Sequence, residues 1–317
     1  MVFVLTSVLI YVIGLFGCFG NVNILIAIYR MKPRLKSSLL VGILAFADLV
    51  SLIAEWNNAT RTVAGLNSYR VECFWTISPY LFVIKMQTTL MCAMAFDRLF
   101  AFTLPFRWVY RFLVDLTTQF RYIKTRLRNY LVICCVPGLL SAVVFITWGA
   151  MTLTNEHIPA CNPPLAYGPS LSNIWSIWSA VFNCLTLAFS VVALISMVIR
   201  LRATQASTYE QKIFQNQRKL SKSCAVMIVV FLLSTCMTTL MIQLSRHLGV
   251  SKEAVISIET NAVLPAIISA SQPYYVYFWC SRMYRQMFKQ QIVVLMPCWR
   301  STHSASVWQS KRSGIFS

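Results

Sequence analysis

Seven long apolar runs constrain the fold of this chain more than any other feature of its sequence. They cover approximately residues 2–29, 39–64, 74–104, 130–153, 174–199, 224–244 and 254–280. A helix that crosses a bilayer needs about 20 mostly apolar residues, and each run meets that requirement. The charged fraction is only 12%, about half that of an ordinary soluble domain. The sequence therefore predicts an all-α membrane protein, a bundle of seven transmembrane helices.

The basic residues indicate how the bundle is oriented. Most of the 28 lysine and arginine residues fall in the first, third and fifth connections and in the C-terminal tail. Because cytoplasmic loops carry the excess of positive charge, we expect the N-terminus outside and the C-terminus in the cytoplasm of a plasma-membrane protein. The net charge of +19 does not indicate nucleic-acid binding, since the basic residues lie between apolar runs rather than on one polar surface.

Cysteine positions agree with this orientation. Of the 11 cysteines, only Cys73 and Cys161 fall in predicted outer loops, where the compartment is oxidising. The sequence predicts a disulfide between them; the alternative is two free thiols. Two further modifications are predicted. Asn58, in the sequon Asn-Ala-Thr, is a candidate for glycosylation. The juxtamembrane Cys298 is a candidate for palmitoylation, and the alternative is that the tail is unmodified.

Two polar residues lie at mid-depth in the first and second runs. Asn21 and Asp48 are each surrounded by apolar residues. One interpretation is an interhelical hydrogen bond that fixes packing. The other is a sodium or water site that rearranges when the bundle changes conformation, because intramembrane ionisable groups are costly and usually functional. The sequence leaves both open.

Lys85 is a charged residue deep within the third apolar run. It lies three helical turns beyond Cys73, too deep for its side chain to reach the outer surface easily. Its amine is either satisfied by loop carbonyls or a neighbouring helix, or it is the counter-charge for an anionic or carbonyl-bearing ligand.

An acid and an arginine stand side by side at the inner end of the third run, in MAFDRLFAFTLPF. Arg98 is favoured there by the helix dipole, and the adjacent Asp97 can lock it until protonation or rearrangement releases it. We expect Pro105 to end the helix and Phe106 to offer an apolar contact to a cytoplasmic partner.

Other classes of membrane protein are less well supported by the sequence. A transporter predicts internal repeats and interrupted helices, and a channel predicts a polar stripe or charged ring; neither is visible. No catalytic constellation, metal-ligand spacing or phosphate loop is present. We therefore expect neither an enzyme nor a cofactor or metal site.

Several of these residues together resemble the rhodopsin-like G protein-coupled receptors over almost the whole chain. The matches are Gly20-Asn21, the LAxxD pattern ending at Asp48, Cys73, and DRLFAFTLP in place of DRYxAxxxP. The sixth run lacks CWxP, and QPYYVY replaces NPxxY, with its tyrosine, Tyr277, one place late. The chain is most similar to the nematode serpentine chemoreceptors of the Srsx type. Its ending, FWCSRMYRQMF, matches the SxxYRxxF that opens a short cytoplasmic eighth helix, at Ser281, Tyr284, Arg285 and Phe288.

The resemblance implies chemosensory signalling through a heterotrimeric G protein. The residues expected to serve coupling and activation are Asp97, Arg98, Pro105, Phe106 and Tyr277. A receptor domain would span residues 1–291, followed by a flexible tail of residues 292–317. The receptor would contact membrane lipid and could form homo- or hetero-oligomers. The alternatives are a neuropeptide-type receptor of the same class and, from a different class, a small-solute transporter.

The resemblance also narrows the class of ligand that the receptor is expected to bind. The seventh run has no lysine to attach retinal, and Tyr80 occupies the place where amine receptors carry aspartate. A small molecule or short peptide remains. The expected pocket residues are Tyr80, Ile84, Lys85, Trp175, Trp178, Gln243 and Glu259, although the aromatic members are also typical of membrane-interface anchors.

Overall fold

A computed structural model describes most of the predicted bundle. The described residues are 2–31, 36–65, 68–103, 127–158, 161–203 and 263–295, together with 226, 229–230, 233–234, 251 and 261. In chain order the elements are α1 (Val2–Arg30), α2 (Lys36–Val63), β1 (Ser68–Tyr69), α3 (Arg70–Thr103), α4 (Leu127–Met151), β2 (His157–Ile158), α5 (Pro163–Ala166), α6 (Pro169–Ala203), α7 (Val263–Ser271), α8 (Pro273–Cys280) and α9 (Arg282–Leu295).

Five helices in the described part are long and apolar enough to cross a membrane: α1, α2, α3, α4 and α6. They correspond to the first five predicted runs, so those predictions are confirmed. The sixth run, residues 224–244, lies largely outside the described residues. The described part of the seventh run consists of α7 and α8, which adjoin at Gln272 immediately before Pro273. Proline has no amide N–H to donate, and it is well placed in the first turn of a new helix.

Helix α3 lies between three other helices and packs against α2, α4 and α6, while α1 packs against α2, α7 and α8. The approach of α1 to α8 is especially close at Gly20. A Cβ atom there would lie 2.7 Å from the Cβ of Tyr274, so a larger side chain would push the two helices apart. Small residues commonly allow this kind of contact between membrane helices.

One end of the bundle is closed by a small cap, and we call it the disulfide end. Strand β1 pairs antiparallel with β2, so that Ser68 lies opposite Ile158. The Cys73–Cys161 disulfide is present, with its Cα atoms 5.5 Å apart, which confirms that prediction. Beside it, the buried Arg70 pairs with Glu156 at 2.6 Å and donates from Nε to the Leu165 carbonyl oxygen at 3.2 Å.

The opposite end carries α9, and we call it the α9 end. Tyr284 and Phe288 of α9 are buried against Tyr274 and Tyr277 of α8, while basic residues occupy the other face. Arg285 donates from Nε to the Phe278 carbonyl oxygen at 2.7 Å, and so caps the last turn of α8. The predicted eighth helix is therefore confirmed. It extends to Leu295, past the residue at which the sequence predicted the tail to begin.

Candidate functional site

Lys85 is fully buried in the middle of α3. Its Nζ atom lies 3.3 Å from the Trp175 carbonyl oxygen and 3.3 Å from Ser179 Oγ, both on α6. It also lies 4.1 Å from the ring centroid of Phe145 and 5.0 Å from that of Trp175, distances at which an ammonium group is attracted to an aromatic face. The neighbouring-helix contact expected for this lysine is thus present.

Within the described part of the chain, Lys85 Nζ has two hydrogen-bond acceptors. An ammonium group has three N–H donors, and the described residues give it two rather distant acceptors. The ion pairs in the described part of the chain are Arg61–Glu72 and Arg70–Glu156, so neither involves Lys85. The site therefore has donor capacity for an additional acceptor.

Aromatic residues form the surroundings of Lys85. Trp175 Nε1 and the Tyr167 hydroxyl group are both buried, and neither has a hydrogen-bond partner among the described residues. Burial raises the pKa of the Tyr167 phenol above its ordinary value. Trp178, also predicted for the pocket, is 36% exposed. Its ring packs against Phe145 and Phe182 at centroid distances of 5.9 and 4.8 Å. Trp178 therefore lines the outer flank of this aromatic group rather than its interior.

Tyr80 faces a different neighbour. Its hydroxyl group interacts with the carboxyl group of Glu55 on α2, which also accepts from Asn58 Nδ2 at 3.4 Å. Both Tyr80 and Glu55 are buried. Glu55 was not predicted from the sequence: the search for an acid covered only α3, although an acidic residue inside the apolar second run was a visible signal.

The remaining predicted pocket residues add little to this geometry. Ile84 is partly buried on α3 between Tyr80 and Lys85, and its side chain packs against the apolar cluster around Tyr167. Gln243 and Glu259 lie outside the described residues. The structure thus brings Lys85 of α3 into contact with Trp175 of α6. It places Tyr80, which contacts Glu55 of α2, five residues before Lys85 on α3.

The two mid-depth polar residues, Asn21 and Asp48, form hydrogen bonds between different pairs of helices. Gln87 Nε2 on α3 donates to Asp48 Oδ1 at 2.7 Å, and Ser51 Oγ donates to Gln87 Oε1 at 3.4 Å. Asn21 Nδ2 donates to the Ala270 carbonyl oxygen of α7 at 2.9 Å. Both residues therefore make interhelical hydrogen bonds, one of the two interpretations left open. Gln87 itself was missed because an amide in an apolar run does not reveal which helix it faces.

The predicted coupling residues of α3 lie in the last two turns of that helix. Asp97 and Arg98 are both partly buried, and Asp97 is close enough to the Cys134 thiol of α4 to interact with it electrostatically. The adjacent Phe96 packs against Phe189 of α6 with ring centroids 5.2 Å apart. Pro105 and Phe106 lie outside the described residues.

Tyr277 belongs to an aromatic cluster at the same end. Its ring stacks on Tyr284 of α9 at a centroid distance of 4.6 Å, and its side chain is buried. Tyr274 and Phe288 complete the cluster, 4.4 Å apart. The displaced tyrosine of QPYYVY therefore joins α8 to α9.

The modification candidates are also located. Asn58 lies inside α2, with its amide engaged by Glu55, and glycosylation there stays a prediction. Cys298 lies outside the described residues.

The apolar helices and the disulfide-tied cap, together with a helix that follows the seventh segment, define a multi-pass membrane protein of the seven-transmembrane receptor class. The family model described as "Serpentine type 7TM GPCR chemoreceptor Srsx" matches residues 14–292. The chain belongs to this family, which is a family of receptors rather than of enzymes. None of the curated proteins compared with the chain matches it.

Proposed function

We propose that this protein is a chemosensory receptor of the plasma membrane that binds an extracellular small molecule or short peptide and activates a heterotrimeric G protein. The disulfide end would face outward and the α9 end the cytoplasm. The distribution of basic residues and the disulfide, which requires an oxidising compartment, support this orientation. A receptor domain of residues 1–291 would carry the function, with 292–317 as its tail.

The observation that carries the ligand-binding part is the incompletely satisfied Lys85. A charged side chain at membrane depth is costly, and such residues mark functional sites unless they are fully paired. Lys85 is 0% exposed and is held by one carbonyl, one hydroxyl and two aromatic faces. A ligand that brings an acceptor to Lys85 would remove this cost.

The coupling part of the proposal uses the same helix. Lys85 and Arg98 are both on α3, separated along the helix axis by about 20 Å at 1.5 Å per residue. A ligand that binds one conformation of the bundle better than the other shifts the population toward it. The cytoplasmic end would then admit a helix of the G protein, with Asp97, Arg98, Pro105, Phe106 and Tyr277 forming or regulating that groove.

Four further assignments accompany this proposal. Asn21 and Asp48 would form a sodium- or water-sensitive element of the switch, Asn58 would be glycosylated, and Cys298 palmitoylated. The receptor would work among membrane lipids, alone or as a homo- or hetero-oligomer.

The proposal is tested by replacing Arg98 with alanine and measuring nucleotide exchange on a purified G protein. We expect exchange to fall to the receptor-free rate while surface expression is retained. Arg128→Ala is the matched control, because Arg128 is an exposed arginine near the same end, at the start of α4. Nucleotide exchange by this variant should match that of the wild type. Full exchange by the Arg98→Ala variant would contradict the assigned coupling role.

A further inference from the structure

Buried polar atoms without a hydrogen-bond partner are concentrated in the segment that runs from the cap into α6. Among the described residues, such atoms in this segment belong to Asn162, Tyr167, Ser172, Trp175 and Asn183. Buried polar atoms in proteins are almost always paired, with the chain, with water or with a bound molecule. This segment is therefore a region in which the described part of the chain has capacity to bind an additional group.

The buried polar residues of α6 lie on one face of that helix. They recur at alternating intervals of four and three residues, namely Ser172, Ser176, Ser179, Asn183, Thr186 and Ser190. This spacing keeps side chains on the same side of a helix. The face meets α3, because Ser179 Oγ contacts Lys85 Nζ and the Thr186 hydroxyl group contacts the Cys92 thiol. Asn183, between these contacts, is 2% exposed, and neither atom of its amide is bonded to a described residue.

Two donors at this interface are close enough to bind the same group. Lys85 Nζ lies 5.0 Å from the centroid of the Trp175 ring. Since Nε1 belongs to that ring, the two nitrogen atoms are at most about 8 Å apart. A carboxylate accepts through two oxygen atoms, each about 2.9 Å from its donor, and so bridges donors up to about 8 Å apart. One carboxylate group can therefore accept from both Lys85 and Trp175.

The chemistry of these two side chains selects an anion. An indole N–H only donates, and an ammonium group has three donors and no acceptor. Two acceptors among the described residues contact the Lys85 ammonium group, both uncharged. Hydrogen bonds from a cation to an anion are about twice as strong as neutral ones, and burying a charge without a counter-charge is expensive. A monoanionic acceptor supplies both the missing hydrogen bonds and the missing charge.

Glu55 does not supply this charge. It contacts Tyr80, which precedes Lys85 by five residues on α3, a rotation of about 140° around the helix axis. Glu55 and the α6 contacts of Lys85 therefore lie on different sides of α3. The ion pairs printed by the described residues at the cap, those of Glu72 and Glu156, also leave Lys85 uninvolved. A ligand with an ammonium group as well as a carboxylate would bring a second buried charge for which this interface offers no described acid.

We propose that Lys85 and Trp175 form a binding site between α3 and α6 for one monoanionic acceptor, the carboxylate group of a small acid that lacks an ammonium group. The acid is small because Lys85 is fully buried and the rings of Phe145 and Trp175 cover its amine. This inference rests on the proposed receptor function and narrows its ligand to carboxylic acids. A halide ion from the solution carries the same charge and accepts from the same donors, and the experiment separates the two sources.

The direct test is thermal unfolding of the purified full-length receptor in lipid nanodiscs, with sodium sulfate holding the ionic strength constant. The probes are acetate and benzoate, their neutral amides acetamide and benzamide, the zwitterion glycine, and the halides chloride and bromide. A ligand that binds the folded state raises the Tm. We expect acetate, benzoate or both to raise it, and the amides and glycine to leave it unchanged. Stabilisation by halides alone would overturn the carboxylic acid ligand, and equal stabilisation by the amides or by glycine, or none by any probe, would overturn the site.

Variants locate the bound anion, each measured as the shift from its own Tm. Lys85→Met should weaken the apparent affinity for the carboxylates about tenfold or more, the usual result of losing a charged hydrogen bond. Lys85→Arg keeps the charge and should keep the response, which guards against a folding defect. Lys289→Met, at an exposed lysine of α9, should behave as wild type. An undiminished response in Lys85→Met would show that the anion binds elsewhere.

A tryptophan pair tests the second donor. Trp175→Phe removes Nε1 and keeps an aromatic ring, so the response to carboxylates should weaken while the discrimination against the amides remains. Trp148→Phe makes the same change at an exposed tryptophan of α4 and should leave the response unchanged. Equal responses in both variants would remove Trp175 Nε1 from the site.

Failure of this inference can be distinguished from failure of the proposed function. The unfolding assay contains no G protein, so carboxylate binding without any nucleotide exchange would contradict the receptor function and leave the anion site standing. Exchange that depends on Arg98, with no stabilisation by any anion, would uphold the function and overturn the anion site.

Discussion

The two ends of the bundle satisfy their buried side chains in different ways. At the disulfide end, the polar groups of Lys85, Trp175 and Asn183 have donors that no described contact uses. At the α9 end, the aromatic side chains of α8 and α9 pack on one another and on apolar residues of α1 and α2. The first arrangement leaves binding capacity for a molecule from outside the chain. The second holds α8 and α9 together through contacts within the chain, so only a rearrangement of the helices can open it.

Removal of the disulfide should have the largest effect of the changes considered, because it destabilises the disulfide end and leaves the α9 end intact. The bond joins residues 88 apart in sequence, and the loss of a cross-link over such a loop typically costs about 3–5 kcal/mol. We expect Cys161→Ser to abolish most surface expression and any ligand-dependent response, as measured by labelling of intact cells. Cys184→Ser, at an exposed free cysteine of α6, serves as the control; normal expression of Cys161→Ser would show that the cap does not depend on the bond.

A smaller effect is expected from truncation at the α9 end. Phe288 is 0% exposed, and replacement of a buried phenylalanine by alanine usually costs about 3–5 kcal/mol in a packed core. Because α9 lies at the edge of the bundle, we expect Phe288→Ala to lower the Tm of the purified receptor by an amount at the low end of that range. Met283→Ala removes an exposed side chain from the same helix and should leave the Tm nearly unchanged. Similar Tm values for both variants would mean that the aromatic cluster contributes little to stability.

The region between the two ends is probed by Gln87→Leu, for which the smallest effect is expected. The change removes the donor to Asp48 and leaves a buried carboxyl group without that bond, a loss typically of about 1–3 kcal/mol. We expect a lower Tm in thermal unfolding of the purified variant, because the hydrogen bond between α2 and α3 is lost. Gln290→Leu, at an exposed glutamine of α9, is the control. Equal Tm values for Gln87→Leu and the wild type would mean that the bond to Asp48 contributes little to stability.

The elements of the fold that could be predicted are those determined by long stretches of sequence. The first five apolar runs became helices close to their predicted bounds, since length and composition alone decide whether a segment spans a bilayer. The cap strands and α5 were not predicted, because each has only two to four residues and depends on the disulfide that brings its ends together.

Site residues were harder to predict because rotation about each helix axis decides which neighbours they meet. Lys85 could be identified from depth and charge alone, and its aromatic surroundings were partly expected. Glu55 and Gln87 were missed, since their roles come from contacts with Tyr80 and Asp48 on an adjacent helix. Trp178 was included for its residue type, yet it lies on the more exposed side of α6. One sequence shows what lies at each depth, but it does not show which way a side chain points.

The seventh segment keeps helical backbone angles at Gln272, but the following Pro273 has no N–H to donate to the preceding turn. Before this proline, α7 is joined to α1 by the hydrogen bonds of Asn21 and Ser271. After it, α8 contacts α1 through the bond from the Tyr275 hydroxyl group to the Phe16 carbonyl oxygen, and it is held to α9 by stacked rings and by the guanidinium group of Arg285. A change of angle at Pro273 would therefore move α8 and α9 together and would also rearrange the contact of α8 with α1. Because Arg282 and Lys289 are exposed on α9, such a rearrangement would also displace positive charge at that end of the bundle.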